Sequence, residues 1–110
     1  MGRTIEMTDK RVSAAFVGDM SFGDFTFCQG YGVRSHLRRY GLDNIFKDVE
    51  HIFKDHDLVF GNLETVLSQK GEIADRLSST EMRGDPEVVE SMVNAGFNCL
   101  NIANNHTMQH

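Results

Sequence analysis

The stretch Phe97 to His106 reads Phe-Asn-Cys-Leu-Asn-Ile-Ala-Asn-Asn-His, an apolar run of strand length that stops in two amides and an imidazole. Such groups bind metals or anions better than they pack a hydrophobic core. Two earlier apolar runs end in the same way, Val12 to Val17 before Gly18-Asp19 and Leu58 to Phe60 before Gly61-Asn62-Leu63-Glu64. Since an open parallel sheet builds its ligand site at the carboxyl ends of its strands, the three runs predict such a sheet.

Helix signals lie between the apolar runs. Asp43 to Lys54 is amphipathic, with Asp43 suited to the N-cap. Asp85 suits the N-cap of another helix, with Pro86 at its first position and Gly96 at its left-handed C-terminal position. The glycines that bracket Val33 to Tyr40 allow a short helix there. Three strands are predicted, at Arg11 to Val17, Asp57 to Asn62 and Phe97 to Ile102. Met82 to Gly84 is expected to be a short extended piece, and Ser68 to Ser79 a polar surface loop.

The order of these pieces predicts the fold class. Strand, helix, strand, helix, strand indicates an α/β unit, β-α-β-α-β, with a mainly parallel sheet and right-handed crossovers. At 110 residues the chain is at most one domain. Residues 1–10 are expected to be a flexible lead-in to a partial domain over 11–110. Because His110 ends the sequence just beyond the strongest motif, we expect the amino-terminal part of a longer protein.

Composition and charge argue against several classes of protein. Hydrophobic residues make up 40% and charged residues 25%, as in a globular chain. The net charge of -5 disfavours a nucleic-acid binder, and the basic cluster Arg34, Arg38 and Arg39 is expected to be a solvated helix face. No membrane-spanning segment or signal peptide is evident, so the chain is expected in the cytoplasm. A segment outside this chain could still tie a longer parent protein to the cell envelope.

The two cysteines carry little functional signal. Cys28 and Cys99 are too few for a disulfide framework and lack the CxxC spacing of a zinc site. Cys99 lies inside an apolar run, so we expect it to be a small buried residue.

Polar residues are expected to converge at the carboxyl edge of the sheet: Asp19, Asn62, Glu64, Asn104, Asn105 and His106. Carboxylate, amide oxygen and imidazole together suit a divalent ion such as manganese, iron or zinc. An aspartate can bridge two such ions, which activate a water and clamp a phosphoryl or carbonyl oxygen, so these residues indicate a hydrolase. Each signal is weak alone, because Asp19 can serve a turn, Glu64 can be a solvated carboxylate and His106 can be structural.

Four segments resemble the bacterial CapA family in order and approximate spacing: Phe16 to Asp19, Asp57 to Glu64, Arg83 to Pro86 and Ala103 to His106. These proteins of capsule and poly-gamma-glutamate biosynthesis belong with the calcineurin-like metallophosphoesterases. The resemblance implies the amino-terminal portion of a metallophosphoesterase-like α/β sandwich. It also implies a metal site at Asp19, Glu64, Asn105 and His106, with catalytic roles for Asn105 and His106, and with Asn62 and Asn104 as neighbours that shape it.

The sequence departs from the family and superfamily patterns at two positions. Gln109 stands where family members commonly have an aspartate three residues after His106. Met20 and Ser21 follow Asp19, so the aspartate-any-histidine signature of many calcineurin-like phosphatases is missing. The first departure removes the carboxylate that the family commonly has at this position, and the second means that ordinary phosphatase activity does not follow from the resemblance.

Three functions therefore stay open. The first is a metal-dependent, phosphoesterase-like hydrolase that acts on a phosphoester or an anionic polymer. The second is a non-catalytic component of poly-gamma-glutamate assembly or export, or a binding domain with a degenerate metal site. The third is an α/β domain in which these residues only serve turns and caps. The chain alone is expected to be weak or inactive, because later histidine ligands would lie beyond it, and its uncovered apolar surface is expected to favour a homo-oligomer.

Overall fold

Three parallel strands form the main sheet of the computed structural model, which describes residues 11–25, 30–69 and 82–108. Their order is β1 (Ala14–Met20), β2 (Leu58–Leu63) and β5 (Cys99–Asn101), with β2 in the middle. Two shorter parallel strands, β3 (Val66–Leu67) and β4 (Arg83–Gly84), form a second sheet. The α/β class and the parallel sheet agree with the prediction, and β4 lies where an extended piece was expected. The pairing of β3 with β4 was not predicted.

Within the described ranges, three helices lie in the connections: α1 (Val33–Tyr40), α2 (Glu50–Lys54) and α3 (Val88–Ala95). Helix α1 has the predicted bounds, and the N–H of Gly41 closes it by donating to the carbonyl of Leu37 at 2.8 Å. Helix α3 ends as predicted at Gly96, whose φ of 113° lies in the left-handed region that suits glycine.

The predicted helix from Asp43 to Lys54 is wrong in its first half. Residues 43–49 form successive turns, in which Val49 N–H donates to the carbonyl of Phe46 at 2.9 Å, and only α2 is helical. Asp43 does not cap it, because α2 begins after Val49 and, among the described residues, no side-chain hydrogen bond caps its N-terminus. Without a cap, the open N–H groups of this segment are satisfied by local turns. Ile45 and Phe46 still pack against the core as expected.

Strand β1 differs from its predicted range in a way that matters for the site. It begins at Ala14 and runs to Met20, so Asp19 lies inside the strand and not in a loop after it. Phe16 pairs with Phe60, whereas Asp19 pairs with Asn62, so β1 contains one residue more than β2 between these pairs. This β-bulge offsets the alternation of side chains by one residue. It therefore brings Asp19 to the sheet face that carries Asn62.

The hydrophobic core lies between one face of the main sheet and the three helices. Its buried members are Phe22, Leu37, Phe53, Val59, Val88, Met92, Ala95 and Phe97. The ring centroids of Phe53 and Phe97 are 4.9 Å apart. The four apolar residues Val88, Val89, Met92 and Val93 predict one apolar stripe on α3, which is partly wrong: Val89 and Val93 are exposed, and Ala95 completes the buried row of Val88 and Met92. These three residues follow the helical spacing of one face.

The opposite face of the main sheet is uncovered within the described residues. Phe16 is 71% exposed; it is in register with Phe60, which is in register with Cys99, so the three residues lie on the same face. Cys99 is exposed, so the prediction of a buried cysteine is wrong. Its neighbour Leu100 packs against the core instead, because successive strand residues point to opposite faces. The contiguous apolar residues Leu58, Val59 and Phe60 predict a strand covered on both faces. In the part of the chain that the structure describes this is wrong, because only one face of β2 packs on the core.

Asp85 ties helix α1 to the segment before α3. Its carboxylate accepts hydrogen bonds from Arg34 and Arg38 instead of capping α3, which begins only at Val88. Only 13% of the Arg34 side chain is exposed. The prediction of a solvated basic face is therefore wrong for Arg34 and holds better for Arg38, which is 54% exposed. Charge-assisted bonds from two arginines satisfy the aspartate more fully than one backbone N–H would.

Several predictions concern residues outside the described ranges. The lead-in over residues 1–10, Cys28, Gln109 and most of the loop from Ser68 to Ser79 lie there. Among the helices in the described ranges, none has the length and apolar character that a bilayer span requires.

Candidate functional site

The carboxyl ends of the three main strands meet at one edge of the sheet and carry polar side chains. Asp19 of β1 is in register with Asn62 of β2, and Asn62 is in register with Asn101 of β5. Glu64 directly follows β2, and the turn after β5 contains Asn104 and His106. Cα register and the shared sheet face explain why residues far apart in sequence lie side by side here.

Asn62 is the centre of this group. Its Nδ2 donates a hydrogen bond to Oδ1 of Asp19 at 2.8 Å and lies 3.3 Å from Oε1 of Glu64, to which it also donates. The carboxamide hydrogens therefore lie between two carboxylates. A neutral donor in this position offsets part of the repulsion between two negative groups.

Two further asparagines hold the oxygen of Asn62. Its Oδ1 accepts from Nδ2 of Asn101 at 2.8 Å and from Nδ2 of Asn104 at 3.2 Å. Asn104 also donates to the carbonyl of Leu63 at 2.8 Å. The sequence-based hypothesis included Asn104 but missed Asn101. The available signal was its place as a polar residue next to Leu100 in an otherwise apolar run.

His106 lies on the other side of Glu64. Nε2 of the imidazole is 3.8 Å from Oε2 of Glu64, and the two side chains are 20% and 22% exposed. A small cleft of about 170 Å³ opens beside His106, between the end of β2 and the turn after β5. The hydroxyl-bearing residues Thr65 and Thr107 contribute to its lining. His106 therefore combines partial shielding from water with access to a small ligand.

Buried hydrogen bonds hold the loops that carry this group. Thr65 is 4% exposed, and its Oγ1 accepts from the N–H of Phe22 at 2.9 Å while donating to Oγ of Ser21 at 3.2 Å. The N–H of Glu64 donates to the carbonyl of Met20 at 3.0 Å. The loop after β1 is thus fastened to the segment after β2. Buried bonds of this kind restrict the backbone position of Glu64.

The structure brings together five of the six predicted site residues: Asp19, Asn62, Glu64, Asn104 and His106. Asn105 is exposed, and within the described residues its side chain is not part of this network. Over residues 11–25, 30–69 and 82–108, no three His, Cys, Asp or Glu side chains are grouped as a metal-ligand set. Oε2 of Glu64 and Nε2 of His106 nevertheless lie 3.8 Å apart, and carboxylate oxygen with imidazole nitrogen is a donor pair of the type that suits manganese, iron or zinc.

A parallel sheet with carboxylate, amide and imidazole groups at its carboxyl edge defines an α/β protein with a candidate ligand site at its strand ends. Residues 13–110 match the family of the bacterial capsule synthesis protein PGA_cap. The chain therefore belongs to this family, and the resemblance to CapA proteins is confirmed.

Two curated relatives support the same assignment. The PGA biosynthesis protein CapA of Bacillus subtilis (strain 168) is 31% identical over 103 residues, which are 94% of this chain and 25% of the relative. The capsule biosynthesis protein CapA of Bacillus anthracis is 30% identical over 100 residues, which are 89% of this chain and 23% of the relative. The chain thus spans about a quarter of the length of these relatives. No solved structure matches it.

Proposed function

We propose that this chain contributes to capsule or poly-gamma-glutamate biosynthesis as a divalent-cation-dependent, phosphoesterase-like hydrolase. The observation that carries the proposal is the meeting of groups from three distant segments: Asn62 bonds to Asp19 and Glu64, and His106 lies on the other side of Glu64. Membership of the capsule synthesis family supports the biological process. Both relatives are named for capsule or PGA biosynthesis.

The charge of the group supports a role for a cation. Asp19 and Glu64 would repel a phosphoester or an anionic polymer, so such a substrate needs positive charge at the site. Glu64 and His106 would hold the cation, with Asp19 and Asn105 as further ligands for one or two ions. A bound manganese, iron or zinc ion would supply Lewis-acid polarisation of the substrate oxygen and acidify a water.

The residues of the chain supply the remaining chemistry. Asn62 holds the two carboxylates together before substrate arrives. His106, at the edge of the small cleft, would hold the cation through Nε2, and a nitrogen that binds a cation carries no proton, so its imidazole would orient the cation-bound substrate and not protonate the leaving oxygen. Thr65 and Thr107 line the same cleft, but their hydroxyls already donate to Ser21 and to the carbonyl of Ile102, so they shape the cleft and do not bind the substrate. Asn105, on the turn with His106, would donate to the developing oxyanion.

A second candidate function is a non-catalytic polymer-binding component of assembly or export. The observation that favours it is the lack of a grouped set of three metal-binding side chains within the described residues. A single weakly held cation can bridge Glu64 to a carboxylate of the polymer without activating a water. In that case the site binds its ligand but does not hydrolyse it.

Cation binding and turnover separate these functions. We expect Mn²⁺ to raise the melting temperature of the chain, because a ligand that binds the native state stabilises it. Glu64→Gln and His106→Ala should abolish this shift, whereas His51→Ala on the exposed face of α2 should retain it. Turnover of a generic phosphodiester that is lost in His106→Ala supports the hydrolase. Turnover is informative only when it is present, because this chain alone is expected to be weak or inactive. Saturable polymer binding supports the second function, and no response of the melting temperature to Mn²⁺ or to the polymer contradicts both.

A further inference from the structure

The carboxamide of Asn62 has one orientation that satisfies its neighbours. Its NH₂ faces the carboxylates of Asp19 and Glu64, and its oxygen faces the NH₂ groups of Asn101 and Asn104. A flipped amide would place oxygen against two carboxylates and NH₂ against two NH₂ groups. All four favourable contacts would become repulsive, so the hydrogen-bond network assigns the orientation.

The backbone fixes the orientation of both neighbours. Oδ1 of Asn101 accepts from the N–H of Ala103 at 3.2 Å, so its Nδ2 points to Asn62. Oδ1 of Asn104 accepts from the N–H of His106 at 3.0 Å, which turns its Nδ2 in the same direction. A backbone N–H can only donate. The backbone N–H groups of the turn after β5 therefore fix the amide orientation of Asn101 and Asn104, so that both donate to Asn62 through Nδ2.

We infer that Asn101 is a positioning residue of the site, which fixes Asn62 as a donor to the two carboxylates and not as a cation ligand. Both lone pairs of the Asn62 oxygen are engaged by donors. Its NH₂ holds Oε1 of Glu64, and this leaves Oε2 turned towards His106. This role of Asn101 extends the proposed function. It depends on that function only in the experiments that measure cation binding.

The two possible roles of Asn62 predict opposite effects of removing Asn101. If Asn62 orients the carboxylates, loss of its partner loosens Glu64 and weakens cation binding, as is usual when a ligand loses its hydrogen-bonded support. If the oxygen of Asn62 were itself a ligand, loss of Asn101 would remove a competing donor and strengthen binding. The sign of the change therefore distinguishes positioning from ligation.

Asn98 provides a matched control at the other end of β5. Its Oδ1 accepts from the N–H of Val59 and its Nδ2 donates to the carbonyl of Asp57, both at 2.9 Å. Asn98→Leu and Asn101→Leu each remove one accepted and one donated bond, with no change of charge. We expect both variants to lower the melting temperature. Only Asn101→Leu should weaken Mn²⁺ binding, by about tenfold.

A measurement without metal tests the same inference independently. In excess EDTA, the side-chain NH₂ of Asn62 should exchange with solvent several-fold faster in Asn101→Leu than in the native chain, and Asn98→Leu should leave that rate unchanged. Asn101→Asp, which can still accept from Ala103 N–H but cannot donate to Asn62, should reproduce the faster exchange if the leucine variant does not fold.

The possible outcomes are distinct. Unchanged exchange at Asn62, or tighter Mn²⁺ binding in Asn101→Leu, would overturn the inference. If the native chain binds no Mn²⁺, the proposed function fails, while the exchange rate still decides the role of Asn101.

Discussion

The guanidinium of Arg34 in α1 holds the carboxylate of Asp85, with Nη2 and Oδ1 2.7 Å apart and Nε at 2.9 Å from the same oxygen. Arg38, one turn further along α1, bonds to the same carboxylate. Asp85 thereby links α1 to the segment before α3, although α2, β2, β3 and β4 lie between them in the sequence. Because Arg34 and Asp85 are largely shielded, this pair is screened less than an ordinary surface ion pair.

Asp85→Asn should lower the free energy of unfolding by about 1–3 kcal/mol at neutral pH, because the charge-assisted bonds lose their ionic partner. Urea denaturation at pH 7 measures the change. Asp48→Asn, at an exposed position, is the control and should alter stability by less than about 0.5 kcal/mol. Equal losses in the two variants would contradict the assigned role of Asp85.

The contribution of Asp85 should also depend on pH. Partial burial raises the pKa of this carboxyl, but hydrogen bonds and charge from Arg38 and Arg34 outweigh that effect and lower its pKa below 3.8. A group whose folded pKa is lowered stabilises the native state above its unfolded pKa and loses that effect as the pH falls through its folded value. The stability difference between the native chain and Asp85→Asn should therefore be full at pH 6 to 7 and shrink between about pH 5 and pH 2. A constant difference over that range would contradict the pairing.

Met92 should be among the most costly residues to truncate. It is 1% exposed in α3 and belongs to the core that joins the helices to the sheet. Met92→Ala should lower the free energy of unfolding by about 2–5 kcal/mol, through lost burial and a residual cavity. Val93→Ala, at a 63% exposed neighbour, should cost much less. Urea denaturation compares the two, and similar losses would show that α3 does not pack on this face.

Two glycines of the site region should differ in their tolerance of alanine. A Cβ at Gly23 would lie 2.8 Å from the backbone N of Arg83, so a backbone must shift. Gly23→Ala should cost about 1–3 kcal/mol, as overpacking does. Gly18, in β1, has no atom within 4 Å of its Cβ position, so Gly18→Ala should be neutral or slightly stabilising. Equal melting temperatures for the two variants would contradict the close approach of Gly23 to β4.

The uncovered sheet face should promote self-association of the chain. Phe16 is 71% exposed and packs against Phe60 with ring centroids 5.7 Å apart. Parallel sheets are normally covered on both faces. Phe16→Lys should shift sedimentation towards the monomer, whereas Tyr31→Lys, at an 89% exposed ring outside this sheet, should not. A monomeric native chain over a wide concentration range would contradict this prediction.

The sequence by itself determined the features that depend on local chemistry. Apolar runs separated by helix signals predicted the parallel α/β sheet, and Gly96 marked the end of α3 because only a left-handed residue fits there. The same runs, read with the general rule for strand ends, placed Asp19, Glu64 and His106 at one edge. Family membership was also visible in the spacing of short motifs.

Only the tertiary structure decided how those groups face one another. The bulge in β1 moves Asp19 to the face of Asn62, and it depends on pairing with a strand more than forty residues away. The orientation of Asn62, the role of Asn101 and the pairing of Asp85 with Arg34 rest on hydrogen bonds between equally distant segments. Local periodicity carries no information about which distant donor reaches a given acceptor, because register and bulges are properties of the assembled sheet.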